Sequence, residues 1–248
     1  MSKDFIVADG IAVSVHEAEG STKGCILSPG FLDSKDYAHL VNLAGELQKR
    51  GFTVARADAF GTWASKGSIG DYSLSRRLKD IDEVVNFLKK EYGVTTFVLG
   101  GHSMGGRVSA LYAVLYPGCI TGIVDIMGSM SLGSTLNWPE DGIYRSKRDM
   151  PNNPAQIVSF EVPRSFVEDA AKFNPKELLA KLHLPILFIA GGDDKIVTLE
   201  RMREGFGYAN EPKKFAVVPG IGHDYRKFPE QISLVNEQIL QFIKENGL

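Results

Sequence analysis

At 248 residues with a formal net charge of -2, the chain fits one α/β domain and is too near neutral for a partner that wants a basic face, whether nucleic acid or an anionic membrane. Hydrophobic residues at 44% supply a sizeable core, and charged residues at 23% are ordinary for a soluble surface. No membrane span, secretory leader or metal-ligand spacing is legible, and the distant Cys25 and Cys119 read as small buried hydrophobes, so a cytoplasmic protein with no metal and no cofactor is expected.

Phe5 to Ala8 and Ile11 to Ala18 read as a hairpin around Asp9-Gly10, with Ile11, Val13 and Val15 alternating. Gly24 to Ser28 is a short strand ending in Pro29-Gly30-Phe31. Ser34 to Asp36 are placed to cap a helix with apolar positions Tyr37, Leu40, Val41, Ala44 and Leu47, closed by Arg50-Gly51. Phe52 to Asp58 is a strand, and a Gly- and Ser-rich loop follows to Asp71. Ser73 to Tyr92 is a long helix ended by Gly93. Thr96 to Gly100 is a strand, and a helix over Arg107 to Tyr116 stops at Pro117-Gly118. Ile120 to Met127 is almost continuously apolar, as expected of a strand covered on both faces. Strands over Leu184 to Ala190 and Lys214 to Val218 flank a short helix at Thr198 to Gly205, and Pro229 to Asn246 is a terminal helix. This alternation implies a mostly parallel sheet with helices on both faces, one domain over residues 1–248.

The rhythm breaks from Gly128 to Lys181. This stretch holds Trp138-Pro139, a charged patch at Tyr144 to Asp149, an apolar alternation at Ile157 to Val162 and a helix-like Arg164 to Phe173. It is too long for a connecting loop, so it reads as a lid inserted over about residues 129–181, after the strand ending at Met127.

Sites in parallel sheets lie at strand C-terminal ends, where Gly101-His102-Ser103-Met104-Gly105 sits between a strand and a helix. In that context Gly-x-Ser-x-Gly is a nucleophile elbow that exposes the Ser103 hydroxyl at a helix N-terminus. A serine hydroxyl needs a base, and the base needs an orienting acid. Of five histidines, His16 and His39 read as surface residues and His102 lies on the wrong side of the turn. His183 sits at the opposite sheet end, which leaves His223, in the loop after the last strand. The acid is Asp193 or Asp194, after another strand, and spacing does not choose between them. Asp125 lies inside its strand, and Asp58 is expected to brace its own loop. The oxyanion needs two backbone donors: the N–H of Met104, and that of Phe31, since Pro29 has none.

Together, Pro29-Gly30-Phe31, Arg56 to Gly61, Gly101 to Gly106, Gly191-x-x-Asp194-x-x-Val197 and Gly222-His223 resemble the α/β hydrolases of the single-domain esterase and acyl-hydrolase kind. The resemblance runs over nearly the whole chain and implies an α/β-hydrolase fold. Matching the family's Gly-x-x-Asp-x-x-Val pattern puts the acid on Asp194. Two departures stand out. The family's His-Gly in the oxyanion loop is Pro29-Gly30 here, and its Gly-His-Gly-x-Ser is Gly61-Thr62-Trp63-Ala64-Ser65. The lid is similar to those of cinnamoyl and feruloyl esterases. The resemblance thus implies a serine carboxylesterase working through an acyl-enzyme on Ser103 on a small-molecule ester; the pocket is expected under the lid, with Trp138, Tyr144, Phe160 and Phe166 either as its walls or as plain packing. Trp138 and Tyr144 beside Asn137 and Asp141 favour a small or aromatic ester over a long lipid. The alternatives on this scaffold are a monoacylglycerol lipase, a thioesterase, or a non-hydrolytic lyase or receptor.

Overall fold

In the computed structural model, residues 2–128, 130 and 138–248 are described. Strands β1 (Lys3–Val7) and β2 (Ile11–His16) form the expected hairpin. They are followed by β3 (Lys23–Ser28), α1 (Ala38–Gln48), β4 (Thr53–Ala57) and α2 (Leu74–Tyr92). Next come β5 (Thr96–His102), α3 (Met104–Leu115) and β6 (Ile120–Ile126). The inserted stretch supplies an antiparallel pair, β7 (Ile143–Met150) and β8 (Asn153–Pro163), then α4 (Ser165–Ala170) and α5 (Pro175–Leu179). The chain ends with β9 (Ile186–Gly191), α6 (Leu199–Tyr208), β10 (Lys213–Val218) and α7 (Pro229–Glu245).

Eight strands form one sheet in the order β1-β2-β4-β3-β5-β6-β9-β10, antiparallel at β1, β2 and β4 and parallel from β4 onward. Helices cover both faces because the parallel strands are apolar on both sides. On one face Leu78, Ile81, Val85 and Leu88 of α2 pack with Val108 and Leu111 of α3. On the other, Leu40, Leu43 and Leu47 of α1 pack with Ile232, Val235 and Ile239 of α7. Each such side chain contributes about 1.5–3 kcal/mol by leaving water. The sheet order brings the C-terminal ends of β3, β5, β9 and β10 to one edge, and every site residue predicted outside the insertion leaves from that edge. No helix among the described residues is long and apolar enough to cross a membrane.

Three local expectations are corrected, and one stretch left without an assigned element gains one. Helix α1 has Tyr37 at its N-cap with no side-chain cap, because Ser34 and Asp36 are engaged elsewhere: the Ser34 hydroxyl lies 3.4 Å from Asp58, and Asp36 pairs with Lys35 and Arg56. The charged patch at Tyr144 to Asp149 is strand β7, ladder-paired with the apolar alternation in β8. The helix-like Arg164 to Phe173 is helical only over Ser165–Ala170. Finally, His16 and His39 are buried, His39 at 1% exposure; it shares the buried side of α1 with Leu40, Leu43 and Leu47.

Candidate active site

The turn between β5 and α3 holds Ser103 at φ 53°, ψ -122°, a conformation that an L-residue adopts only under strain of about 1–3 kcal/mol. The surroundings enforce it. A Cβ on Gly101 or Gly105 would run into the Ser28 carbonyl oxygen, so the turn can pack this closely against β3 only with glycine at both places. The Ser103 N–H donates to the Ile126 carbonyl at 2.7 Å, tying the turn to β6.

Ser103 Oγ lies 3.0 Å from His223 Nε2, and His223 Nδ1 lies 2.7 Å from Asp194 Oδ2. His223 comes from the loop after β10 and Asp194 from the loop after β9. The other Asp194 oxygen, Oδ1, accepts the N–H groups of Ile196 at 2.8 Å and Val197 at 2.9 Å. Burial pushes the Asp194 carboxyl up, but the hydrogen bond from His223, its charge and the two backbone donors outweigh that and hold the pKa below the ordinary value. With an ionised carboxylate at Nδ1, the imidazole carries its proton there and leaves Nε2 free to accept from Ser103. Asp193, the alternative acid, is solvent-exposed and anchored by its own N–H on the Ile221 carbonyl.

The loop after β3 is held at almost every polar backbone group. Arg77 of α2 donates to the Pro29 carbonyl at 2.6 Å and to the Gly30 carbonyl at 3.4 Å. The Asp33 N–H donates to the Gly30 carbonyl at 3.2 Å. Because the Gly30–Phe31 peptide is planar and trans, fixing the Gly30 carbonyl aims the Phe31 N–H the opposite way. The next peptide is fixed as well: Arg148 donates to the Phe31 carbonyl at 2.8 Å, and the Leu32 N–H donates to the Tyr72 hydroxyl at 3.2 Å. Among the described residues the N–H groups of Phe31 and Met104 have no hydrogen-bond acceptor. Arg77 thus braces the loop in which Pro29 replaces the family's histidine. Sequence reasoning missed it, yet a signal existed: Arg77 falls on the buried stripe Leu74, Leu78, Ile81 of α2 and is 4% exposed.

The departure at Gly61 to Ser65 forms a compact turn. Gly61 (φ +82°) and Trp63 (φ 46°) are both left-handed, the Gly61 N–H donates to the Lys66 carbonyl at 2.8 Å, and the Trp63 indole N–H donates to the Leu32 carbonyl at 3.0 Å. Asp58 accepts from Lys35 N–H at 2.8 Å and Ala64 N–H at 3.3 Å.

Of the four predicted wall residues, three meet around Phe31. Phe166 lies 5.1 Å and Tyr144 5.9 Å from it, ring centre to ring centre, and Trp138 stacks against Phe166 at 6.0 Å. Phe160 belongs to the same apolar cluster but meets Trp63 edge-on, at 5.6 Å. Phe160 and Phe166 are buried packing residues, whereas Trp138 and Tyr144 are half-buried. Asn137 lies outside the described residues. Trp63 and Phe160 also wall a cleft of about 780 Å³ between the Gly61–Gly67 turn and the tip of the β7–β8 hairpin.

A second layer of ionisable groups lies behind His223. The His102 ring centre is 4.6 Å from that of His223, and His39 is 5.2 Å from His102. Desolvation lowers the pKa of both His102 and His39. Asp33 Oδ2 lies 3.7 Å from His102 Nδ1. Burial alone would push the Asp33 carboxyl up, but His102 and Arg148 outweigh it and hold it at about 2. Under the elbow, Asp125 is fully buried without a well-formed hydrogen bond among the described residues, and burial outweighs the nearby Gly128 N–H and raises its pKa well above the ordinary value. No group of three or more His, Cys, Asp or Glu among the described residues is arranged to hold a metal.

The chain is similar to known proteins at several levels. The profile of the serine aminopeptidase S33 family, an α/β-hydrolase group, matches residues 21–137. An uncharacterized protein of Mycobacterium tuberculosis is 46% identical over 48 residues, 19% of this chain and 17% of that one. Protein phosphatase methylesterase 1 of Candida albicans is 28% identical over 151 residues, 59% of this chain and 39% of that one. The chain therefore spans well under two thirds of these relatives' length. Among solved structures, Est1E from Butyrivibrio proteoclasticus with ferulic acid bound superimposes with a TM-score of 0.78 at 23% identity, covering 99% of this chain and 98% of that one. At that identity the likeness is one of fold.

Proposed function

We propose that this chain, an α/β hydrolase, is a serine carboxylesterase acting on small or aromatic esters. The observation that carries the reading is the hydrogen-bonded chain from Ser103 through His223 to a buried Asp194; beside it, the Phe31 and Met104 N–H groups have no acceptor among the described residues. In the reaction, His223 Nε2 takes the Ser103 proton as Oγ attacks the ester carbonyl. The carbonyl oxygen becomes an oxyanion held by the N–H groups of Phe31 and Met104, each worth about 3–4 kcal/mol to the barrier. Asp194 keeps the imidazole in the accepting tautomer and stabilises the imidazolium. The imidazolium then protonates the departing alcohol, and water repeats the sequence on the acyl-enzyme. No step calls for a metal or cofactor. The inserted stretch at about 129–181 acts as the lid, with Trp138 and Tyr144 as its substrate-facing walls. These aromatic surfaces suit a compact or aromatic acyl group, as does the likeness to an esterase fold crystallised with ferulic acid. A cytoplasmic location fits the two unpaired cysteines.

The test is labelling with a fluorophosphonate together with hydrolysis of p-nitrophenyl acetate, longer p-nitrophenyl esters, aromatic esters and an acyl thioester. Labelling that is lost in Ser103→Ala, with turnover falling as the acyl chain lengthens, supports the reading. Labelling that survives Ser103→Ala removes Ser103 as the nucleophile, and faster turnover of the thioester moves the substrate class.

A further inference from the structure

The β7–β8 hairpin touches both loops that the proposed chemistry depends on, through two consecutive residues. Neighbouring residues of a strand point to opposite sides, so Arg148 and Asp149 reach in different directions. Arg148 donates to the Phe31 carbonyl at 2.8 Å, and its Nε lies 3.1 Å from Asp33 Oδ1. Asp149 takes both ends of the Arg226 guanidinium, at 2.6 and 3.0 Å, three residues beyond His223. The Tyr37 hydroxyl donates to the Asp149 carbonyl at 2.9 Å, and the same guanidinium lies 3.9 Å from the Tyr37 ring centre. We propose that Arg148 and Asp149 are positioning residues for the reaction, the first setting the oxyanion loop and the second the His223 loop, so that the hairpin assembles the site as well as covering it. This rests on the esterase reading above.

The argument for Arg148 is geometric. The Phe31 N–H is aimed by the peptide plane on one side of Phe31, and Arg148 fixes the plane on the other. Arg148 also faces the side chain of Asp33, whose own N–H holds the Gly30 carbonyl, so both planes lean on one guanidinium. The guanidinium donates a hydrogen bond to the Phe31 carbonyl while standing against the Asp33 carboxylate as an ion pair, a combination that an ammonium on a flexible stem matches poorly. Asp149 works by the bidentate pair with Arg226, the stronger kind of charge-assisted contact, and both side chains are largely shielded from water. Errors of about 1 Å in either loop cost rate rather than affinity, because oxyanion donors and the base act on the transition state.

The experiment compares wild type with Arg148→Ala, Arg148→Lys, Asp149→Asn, Arg226→Gln and the Asp149→Asn/Arg226→Gln pair. It measures kcat and KM for p-nitrophenyl acetate per fluorophosphonate-titrated serine, and Tm. Arg148→Ala is expected to lower kcat by about 10- to 100-fold with KM changed by less than about threefold, and Arg148→Lys to recover only part of the loss. Asp149→Asn and Arg226→Gln are expected to lower kcat by similar factors, with the double variant no worse than either single one. Counting only titrated serines removes any unfolded fraction from the comparison. A kcat per titrated serine within about twofold of wild type in Arg148→Ala, or additive losses in the Asp149 and Arg226 pair, overturns the inference while leaving the esterase reading intact. A wild type that neither labels nor turns over any ester overturns both.

Discussion

Asp194→Asn tests the assignment of the acid, and the geometry says why so small a change is severe. Oδ1 accepts from two backbone N–H groups, Ile196 and Val197, while Oδ2 accepts from His223 Nδ1. An asparagine here keeps its carbonyl oxygen on the two backbone donors, which leaves its NH2 group facing Nδ1. Nδ1 then has to accept, the imidazole proton moves to Nε2, and Nε2 no longer accepts from Ser103. The wrong tautomer in an otherwise intact triad costs about 1,000- to 10,000-fold in kcat, which is about 4–5.5 kcal/mol of barrier. Asp193→Asn, on the exposed neighbour, stays within about twofold. The assay is kcat/KM on p-nitrophenyl acetate for both variants at pH 8. A larger loss at Asp193, or a loss under about tenfold at Asp194, refutes the argument. Stability supplies a second reading. Because the folded-state pKa of Asp194 is depressed, its contribution is present above the ordinary carboxylate pKa and is lost as pH falls through the folded value. The difference in Tm between wild type and Asp194→Asn should therefore shrink as pH falls below about 4.

Asp125 carries the opposite sign: its folded-state pKa lies above the unfolded one, so its stabilising effect is full below the ordinary carboxylate pKa and declines as pH rises toward the folded value. Asp125→Asn should raise Tm at pH 8 and change it little at pH 4, each kcal/mol reading as about 2–4 °C; a variant that is less stable at pH 8 contradicts this. Phe166, stacked on Tyr72 at 5.4 Å and 2% exposed, should cost about 3–5 kcal/mol of stability as Phe166→Ala. Half-buried Trp138→Ala should instead move KM for aromatic esters with a smaller change in Tm; denaturant unfolding and a substrate panel separate the two, and equal Tm losses would make both plain packing.

That Ser103, Asp194 and His223, the proposed triad, would meet at one sheet edge was legible because each occupies a one-dimensional address, the loop that follows a strand, and the strands announced themselves by apolar runs. The parallel sheet was legible for the same reason. Side chains that act across the fold have no such address. Arg148 lies 117 residues from the Phe31 carbonyl that it holds, inside a run that reads only as a charged patch. His39 reads as a surface residue because polarity is a poor guide where a ring packs against other rings, here His102 and Tyr225. The Ser34 to Asp36 cap failed because Asp36 and Ser34 had better partners, Arg56 and Asp58, brought by another strand. Pro29 is the sharpest case. Where the related hydrolases have a histidine, Pro29 supplies no side-chain brace for the proposed oxyanion loop, and no replacement is legible by spacing. The replacement is Arg77, a charge on the apolar stripe of α2. A buried arginine is costly unless its donors are met, so its presence on that stripe implies acceptors within reach. The Pro29 and Gly30 carbonyls at the end of β3 are those acceptors, and a polar residue that breaks an amphipathic pattern is the place to look for a brace.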